Sequence, residues 1–206
     1  MGLLPCIEGA LGTLLQSQKG RDAKLFCGPA TPAFASISEP TITVTSPDCG
    51  PSGSTFPIAY SAIGADQFPI LQWDIGSLGT EVKEYVVIVE DPDAPLPSPI
   101  VHGLYYAIAG DVKEFGGEAV NHTGPVIDQG REFRVGKNRR GTVYSGPRPV
   151  LGHRVHRYMF DVIALKEKLG EAALSEVPTK EEVAKAMEGK IVGWGRWIGC
   201  FERKWE

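Results

Sequence analysis

The sequence predicts a mostly β fold, an antiparallel sheet or sandwich with helices kept to the periphery. Three observations carry that expectation. The 25 glycines and 16 prolines among 206 residues show no repeat period, and such punctuation favours many short strands and turns over long helices. Residues 85–90, 100–109 and 154–165 are runs rich in β-branched and aromatic side chains. The connectors between these runs are too short, or too rich in Pro and Gly, to hold the crossover helices of a parallel sheet.

Taken in order, residues 4–19 place Leu4, Ile7, Leu11, Leu14 and Leu15 at helical spacing, which predicts an amphipathic N-terminal helix docked on the body. Residues 20–39, with Gly28, Pro29 and Pro32, read as a connecting arm, so the chain divides into an arm of 1–39 and a domain of 40–206. Strands are expected at 41–45, 56–60 and 70–74, with a dense turn cluster at 46–51. The run 85–90 is apolar at every second and every intervening position until Glu90, the pattern of a central strand buried on both faces. Strands follow at 100–109 and 154–165. Thr179 is placed to cap a short helix ending at Met187, and a last strand occupies 191–201.

Composition excludes several functions. A net charge of −4 offers no global field for nucleic acid or an anionic membrane, so at most peripheral membrane contact is expected. No apolar run approaches the roughly 20 residues needed to span a bilayer. Glu8 interrupts the N-terminal apolar stretch and no basic residue precedes it, unlike a secretory signal, which makes the expected location cytoplasmic. In that setting Asn121-His122-Thr123 is a glycosylation sequon only on paper, and Cys6, Cys27, Cys49 and Cys200 are expected as free thiols.

Four segments place polar groups where strands begin or end. Asp91-Pro92-Asp93-Ala94-Pro95 follows the central run directly; two carboxylates this close need a proton, a cation or donors between them, or else simply cap a strand end. His102 lies in a strand whose alternation groups it with Leu104 and Tyr106, opposite Gly103 and Tyr105. Gly146-Pro147-Arg148-Pro149 is a turn whose backbone N–H groups could form an anion-binding concavity. In His153-Arg154-Val155-His156-Arg157-Tyr158, alternation sets His156, Tyr158 and Phe160 on one face, with Arg157 and Asp161 opposite as a surface pair. The basic run around Arg139 and Arg140 reads as a solvated loop, with contact to phosphate groups of a membrane or partner as the alternative.

These motifs in this order resemble the phosphatidylethanolamine-binding protein family, with the fungal branch nearest in pattern. The resemblance covers about 40–201 and implies a large antiparallel sheet packed with a smaller sheet, plus peripheral N- and C-terminal helices. It implies a shallow pocket walled by Asp91, Asp93, Pro95, His102, Gly146, His156 and Tyr158 that binds small anions or phosphorylated head groups. The Gly146 N–H, the Tyr158 O–H and an imidazole would hold the oxyanion, while Asp91 would orient His102 or meet an ammonium. No cofactor and no metal is required. Two functions follow from the resemblance. One is a binding module that modulates a kinase or serine protease. The other is an enzyme, or helper of a biosynthetic enzyme, acting on an anionic maleic-anhydride-type substrate with Asp91, His102, His156 and Tyr158 as acid–base groups. Residues 1–39 have no counterpart in the family pattern.

Overall fold

The computed structural model describes residues 3–120, 133–170 and 174–205; the sequon at 121–123 lies outside them. The elements run α1 (Leu3–Leu14), β1 (Thr43–Thr45), β2 (Ser54–Thr55), β3 (Leu71–Asp74), β4 (Glu84–Asp91), β5 (Ile100–Ala109), β6 (Glu114–Phe115), β7 (Arg134–Val135), β8 (His156–Leu165), α2 (Lys180–Met187) and β9 (Ile191–Phe201). They form a six-stranded sheet, β2-β9-β8-β4-β5-β7, packed with a three-stranded one, β1-β3-β6. All pairs are antiparallel except β2 with β9. The mostly β, two-sheet architecture is the one expected.

β4 is the centre, buried along its whole length between β5 and β8. Tyr85, Val87 and Val89 face the smaller sheet and join Phe68, Trp73, Tyr105, Phe160 and Trp197 in the inter-sheet core. Val86 and Ile88 face the other way, where Phe26, Phe34, Val183, Met187 and Trp194 cover them. Each such side chain removed from water stabilises the fold by about 1.5–3 kcal/mol. The arm is therefore part of the core: Phe26 and Phe34 stand edge-to-face at 5.9 Å, and Phe34 meets Trp194 at 6.1 Å. Thr179 caps α2 with a reciprocal box, its side chain accepting from Glu182 N–H while the Glu182 carboxylate accepts from Thr179 N–H.

Two expectations are corrected. Residues 56–60 are not a strand: Pro57, which has no N–H for a ladder, leads into a 3-10 turn at Ile58–Tyr60, and the strand is the preceding Ser54–Thr55. The N-terminal helix docks, but not through its leucine stripe. Leu4 and Leu14 are 80% and 76% exposed, and Ile7 and Leu11 also face solvent. The docking face is Glu8, Gly9 and Gly12, which run over the backbone of the 149–153 turn and the C-terminal tail. A Cβ on Gly12 would sit 2.0 Å from the Leu151 carbonyl oxygen, and one on Gly9 2.5 Å from the Trp205 ring. Glu8 accepts from Leu151 N–H at 3.2 Å and pairs with Arg203 at 2.5 Å. A polar backbone surface needs a partner that approaches closely and accepts hydrogen bonds, which leucines cannot do.

Close approach also seats the edge of the smaller sheet on β9, where Thr41 and Ile42 N–H donate to the Trp194 carbonyl at 2.7 and 3.0 Å. A Cβ on Gly195 would fall 2.1 Å from the Ile42 carbonyl oxygen. Gly195→Ala is expected to destabilise the protein by about 1–3 kcal/mol through forced separation of these strands, measured as a lower urea midpoint at unchanged slope.

Candidate functional site

One end of the large sheet, on its inter-sheet face, gathers the residues singled out in the sequence. Asp91 ends β4, His156 begins β8, and His102 is the third residue of β5. Strand alternation holds along β8, where Tyr158 and Phe160 enter the inter-sheet core. It fails at His102. Val89 pairs with Gly103 but Glu90 pairs with Val101, so His102 is the extra residue of a β-bulge. Leu104 and Tyr106 stay on the arm-covered face, with Val101 packed there too. The bulge turns His102 to the opposite side, where its ring meets Tyr158 edge-to-face at 5.1 Å. A one-residue irregularity is enough to exchange faces.

A pocket of about 270 Å³ opens there, and its wall includes Asp91, Pro95, His102, Gly146, His156 and Tyr158. Asp93, the seventh expected residue, does not line it. Its carboxylate is held by Arg157, from Nε and Nη2 at 2.8 Å each, and accepts from Gly20 N–H at 3.2 Å. Burial works to raise the Asp93 pKa, but these donors outweigh it and hold the group below the usual carboxylate range. Arg157 also reaches Asp22, at 2.9 Å, while Asp161 is buried against Arg196 at 2.6 Å; the expected surface pair of Arg157 with Asp161 does not form. Their side chains leave the same face of β8 but find nearer partners on the arm and on β9.

Hydrogen bonds settle which pocket atoms are open. Asp91 Oδ1 accepts from Asp93 N–H at 2.8 Å and Ala94 N–H at 3.1 Å, and its Oδ2 contacts His156 Nδ1 at 2.8 Å. His156 Nε2 lies 2.7 Å from His153 Nδ1, and His153 Nε2 lies 2.6 Å from the Leu15 carbonyl oxygen. A carbonyl only accepts, so His153 carries its proton on Nε2. Burial pushes the His153 pKa down, and its bare Nδ1 then accepts from His156 Nε2–H. With that proton on Nε2, the short contact of His156 Nδ1 with Asp91 contains one further shared proton. Asp91 thus orients His156 rather than His102. Both rings of the chain are fully engaged, and the last residue in the chain, Leu15, lies just beyond α1.

His102 has a different partner. Its Nδ1–H donates to the Ser145 carbonyl, and burial pushes its pKa down, so its Nε2 is a bare acceptor. That atom and the Tyr158 hydroxyl are both buried without a hydrogen-bond partner. Burial first, and then the nearby Asp91 charge, push the Tyr158 pKa well up and keep it an O–H donor. Gly146 N–H does not point at the pocket's contents: it donates to Asp66 Oδ1 at 2.7 Å. The expected oxyanion donor there is occupied.

Three groups lie outside the wall residues expected from the sequence. Exposed Arg139, Arg140 and Arg148 line the mouth. Asn138 holds the arginine-bearing loop against β5, donating to the carbonyls of His102 at 3.0 Å and Thr142 at 2.8 Å and accepting from Arg140 N–H at 3.0 Å. His153 completes the relay to the N-terminal segment. An Asn inside an arginine run and a second His three residues before His156 were the available signals, but neither has a partner nearby in sequence. If α1 fixes the His153 tautomer, Gly12→Val should lift the helix from Leu151 and break the Leu15 contact. Nitrogen-15 spectra of the histidine rings are expected to show the Nε2–H form of His153 in the parent and a tautomer mixture in the variant.

Comparison with known proteins places the fold in a family. The family model for phosphatidylethanolamine-binding protein matches residues 46–202. Phomoidride biosynthesis cluster protein B of Talaromyces stipitatus is 44% identical over 98% of this chain and 84% of its own length. The protein of the same name from Fungal sp. is 43% identical over 99% of this chain and 98% of its own. Both alignments therefore extend into the N-terminal helix and arm, which lie outside the family match. Among solved structures, a putative phosphatidylethanolamine-binding protein homologue from Chlamydia trachomatis superposes with a TM-score of 0.64 at 28% identity, covering 80% of this chain and 99% of its own. With a two-sheet body, a pocket where the central strand ends and a family match across nearly all of that body, the chain belongs to the phosphatidylethanolamine-binding protein family.

Proposed function

We propose that this protein binds a small organic acid carrying more than one carboxylate, and does so in the service of a fungal biosynthetic pathway. The observation that carries the reading is the charge arrangement of the pocket: Arg139, Arg140 and Arg148 surround its mouth, while the carboxylate on its wall, Asp91, is already engaged by His156 and two backbone N–H groups. Guanidinium groups meet carboxylates in bidentate geometry, and each charge-assisted hydrogen bond contributes about 1.5–3 kcal/mol when desolvated. The name shared by the two fungal relatives, which match the chain from end to end, supports the biosynthetic setting. A phosphorylated head group is the competing occupant, since arginines also hold phosphate.

Calorimetric titration with maleate, inorganic phosphate and phosphorylethanolamine separates the two. Maleate is expected to bind at least as tightly as phosphorylethanolamine, and Arg148→Ala to weaken maleate about two- to fivefold, the range for an exposed ion pair. Phosphorylethanolamine binding more than tenfold tighter than maleate, or an Arg148→Ala variant with unchanged maleate affinity, would end the organic-acid reading.

A further inference from the structure

Among the described residues, four buried side-chain polar atoms have no hydrogen-bond partner: Trp73 Nε1, Tyr144 Oη, His102 Nε2 and Tyr158 Oη. Two of these, on His102 and Tyr158, belong to residues of the pocket wall, and their rings touch. A buried polar atom left unpaired costs about 1–3 kcal/mol, so both call for an occupant. They are also of opposite kind. The Ser145 carbonyl takes the His102 Nδ1 proton, leaving Nε2 an acceptor, whereas the Tyr158 hydroxyl can donate. Asp91 and His156 are already engaged: Asp91 accepts from Asp93 and Ala94 N–H and meets His156 Nδ1, and His156 donates its Nε2–H to His153.

A fully ionised carboxylate satisfies only half of this pair. It can accept from Tyr158, but against His102 it sets lone pair against lone pair. We propose that the pocket takes its acid together with one proton: a carboxyl group that shares a proton with His102 Nε2 and accepts from Tyr158 O–H, while a second, ionised carboxylate lies among the arginines at the mouth. The occupant is thus the half-acid of a dicarboxylic acid, and binding of the dianion is coupled to uptake of one proton. This inference rests on the organic-acid reading above and adds the protonation state to it. Whether the proton sits on the ligand or on His102, the count is the same.

The groups around His102 come from every neighbouring element. Asp91 on β4 and Asp66 on the loop before β3 favour a proton there, and Arg140 on the 136–141 loop opposes it. Tyr158 and His156 on β8 complete the enclosure. Asp91 and Asp66 are each engaged elsewhere, by His156 and by Gly146 N–H, so neither can take the ligand's proton in place of His102. A ligand with an ammonium group would satisfy Nε2 with its own proton, and proton counting separates that case.

The experiment is calorimetry of maleate at about pH 8, where the free ligand is a dianion, in buffers of different ionisation enthalpy. The apparent heat is expected to vary with buffer by an amount equal to uptake of about one proton, and the affinity to fall about tenfold per pH unit as pH rises. His102→Gln, which offers an amide donor without a proton, should abolish the uptake and flatten the pH profile. Tyr158→Phe should weaken binding about tenfold and leave the proton count near one, which keeps the test decisive if His102→Gln does not fold. Maleate binding that is weakened by Arg148→Ala but takes up no proton would overturn the proposal while leaving the organic-acid reading intact. Uptake that persists in His102→Gln would also overturn it. No maleate binding between about pH 5 and 8 by folded protein would remove both readings together.

Discussion

A strand buried on both faces can carry a carboxylate only where donors reach it, and β4 carries three. Glu84, Glu90 and Asp91 are each almost fully buried. Glu84 accepts from Ala107 N–H at 3.0 Å, at the second bulge of β5, and from Leu169 N–H at 3.1 Å. Glu90 accepts from Phe26 N–H at 2.6 Å and from Lys180 Nζ at 2.7 Å. Burial still pushes the pKa of both glutamates up, which is the mark of a desolvation penalty that their partners only partly offset. Asp91 takes two backbone donors of its own loop and His156. Satisfying these groups brings the arm, α2 and the loop after β8 to their places.

The pocket is a by-product of the same constraint. Asp91 cannot stay buried without His156, His156 is held in turn by His153, and His153 is held by the Leu15 carbonyl. The N-terminal segment therefore supports a wall residue of the pocket through His153, although it lies outside the family match. Arg21 and Lys24 extend the contact, with Arg21 N–H donating to the Pro92 carbonyl at 2.9 Å and Lys24 Nζ to that of Pro97 at 2.8 Å. The loop that follows β4 is braced by the arm on one side and by Arg157 on the other.

Much of the fold was legible. Continuous apolar character identified β4, a capping threonine identified α2, and alternation assigned the faces of β8. Motif order led to the family and to six residues that do line one pocket. The roles within that pocket were less legible. Asp91 was expected to orient His102 or meet an ammonium and is bonded to His156; Gly146 N–H was expected to be open and is taken by Asp66; Asp93 was expected in the wall and is spent on Arg157. Each error concerns a partner from a distant part of the chain.

The sequence by itself determined which segments could be strands and which residue types would meet at the end of the central one, because periodicity and motif spacing are local properties. Only the tertiary structure decided the face of His102, the docking side of α1 and the availability of each donor. A bulge arises from pairing between two strands, not from either alone. The helix that shows three leucines and an isoleucine on successive turns docks through glycines because the surface it meets is polar backbone. And a hydrogen-bonding atom is open or occupied according to which group, often more than 60 residues away in the chain, reaches it first.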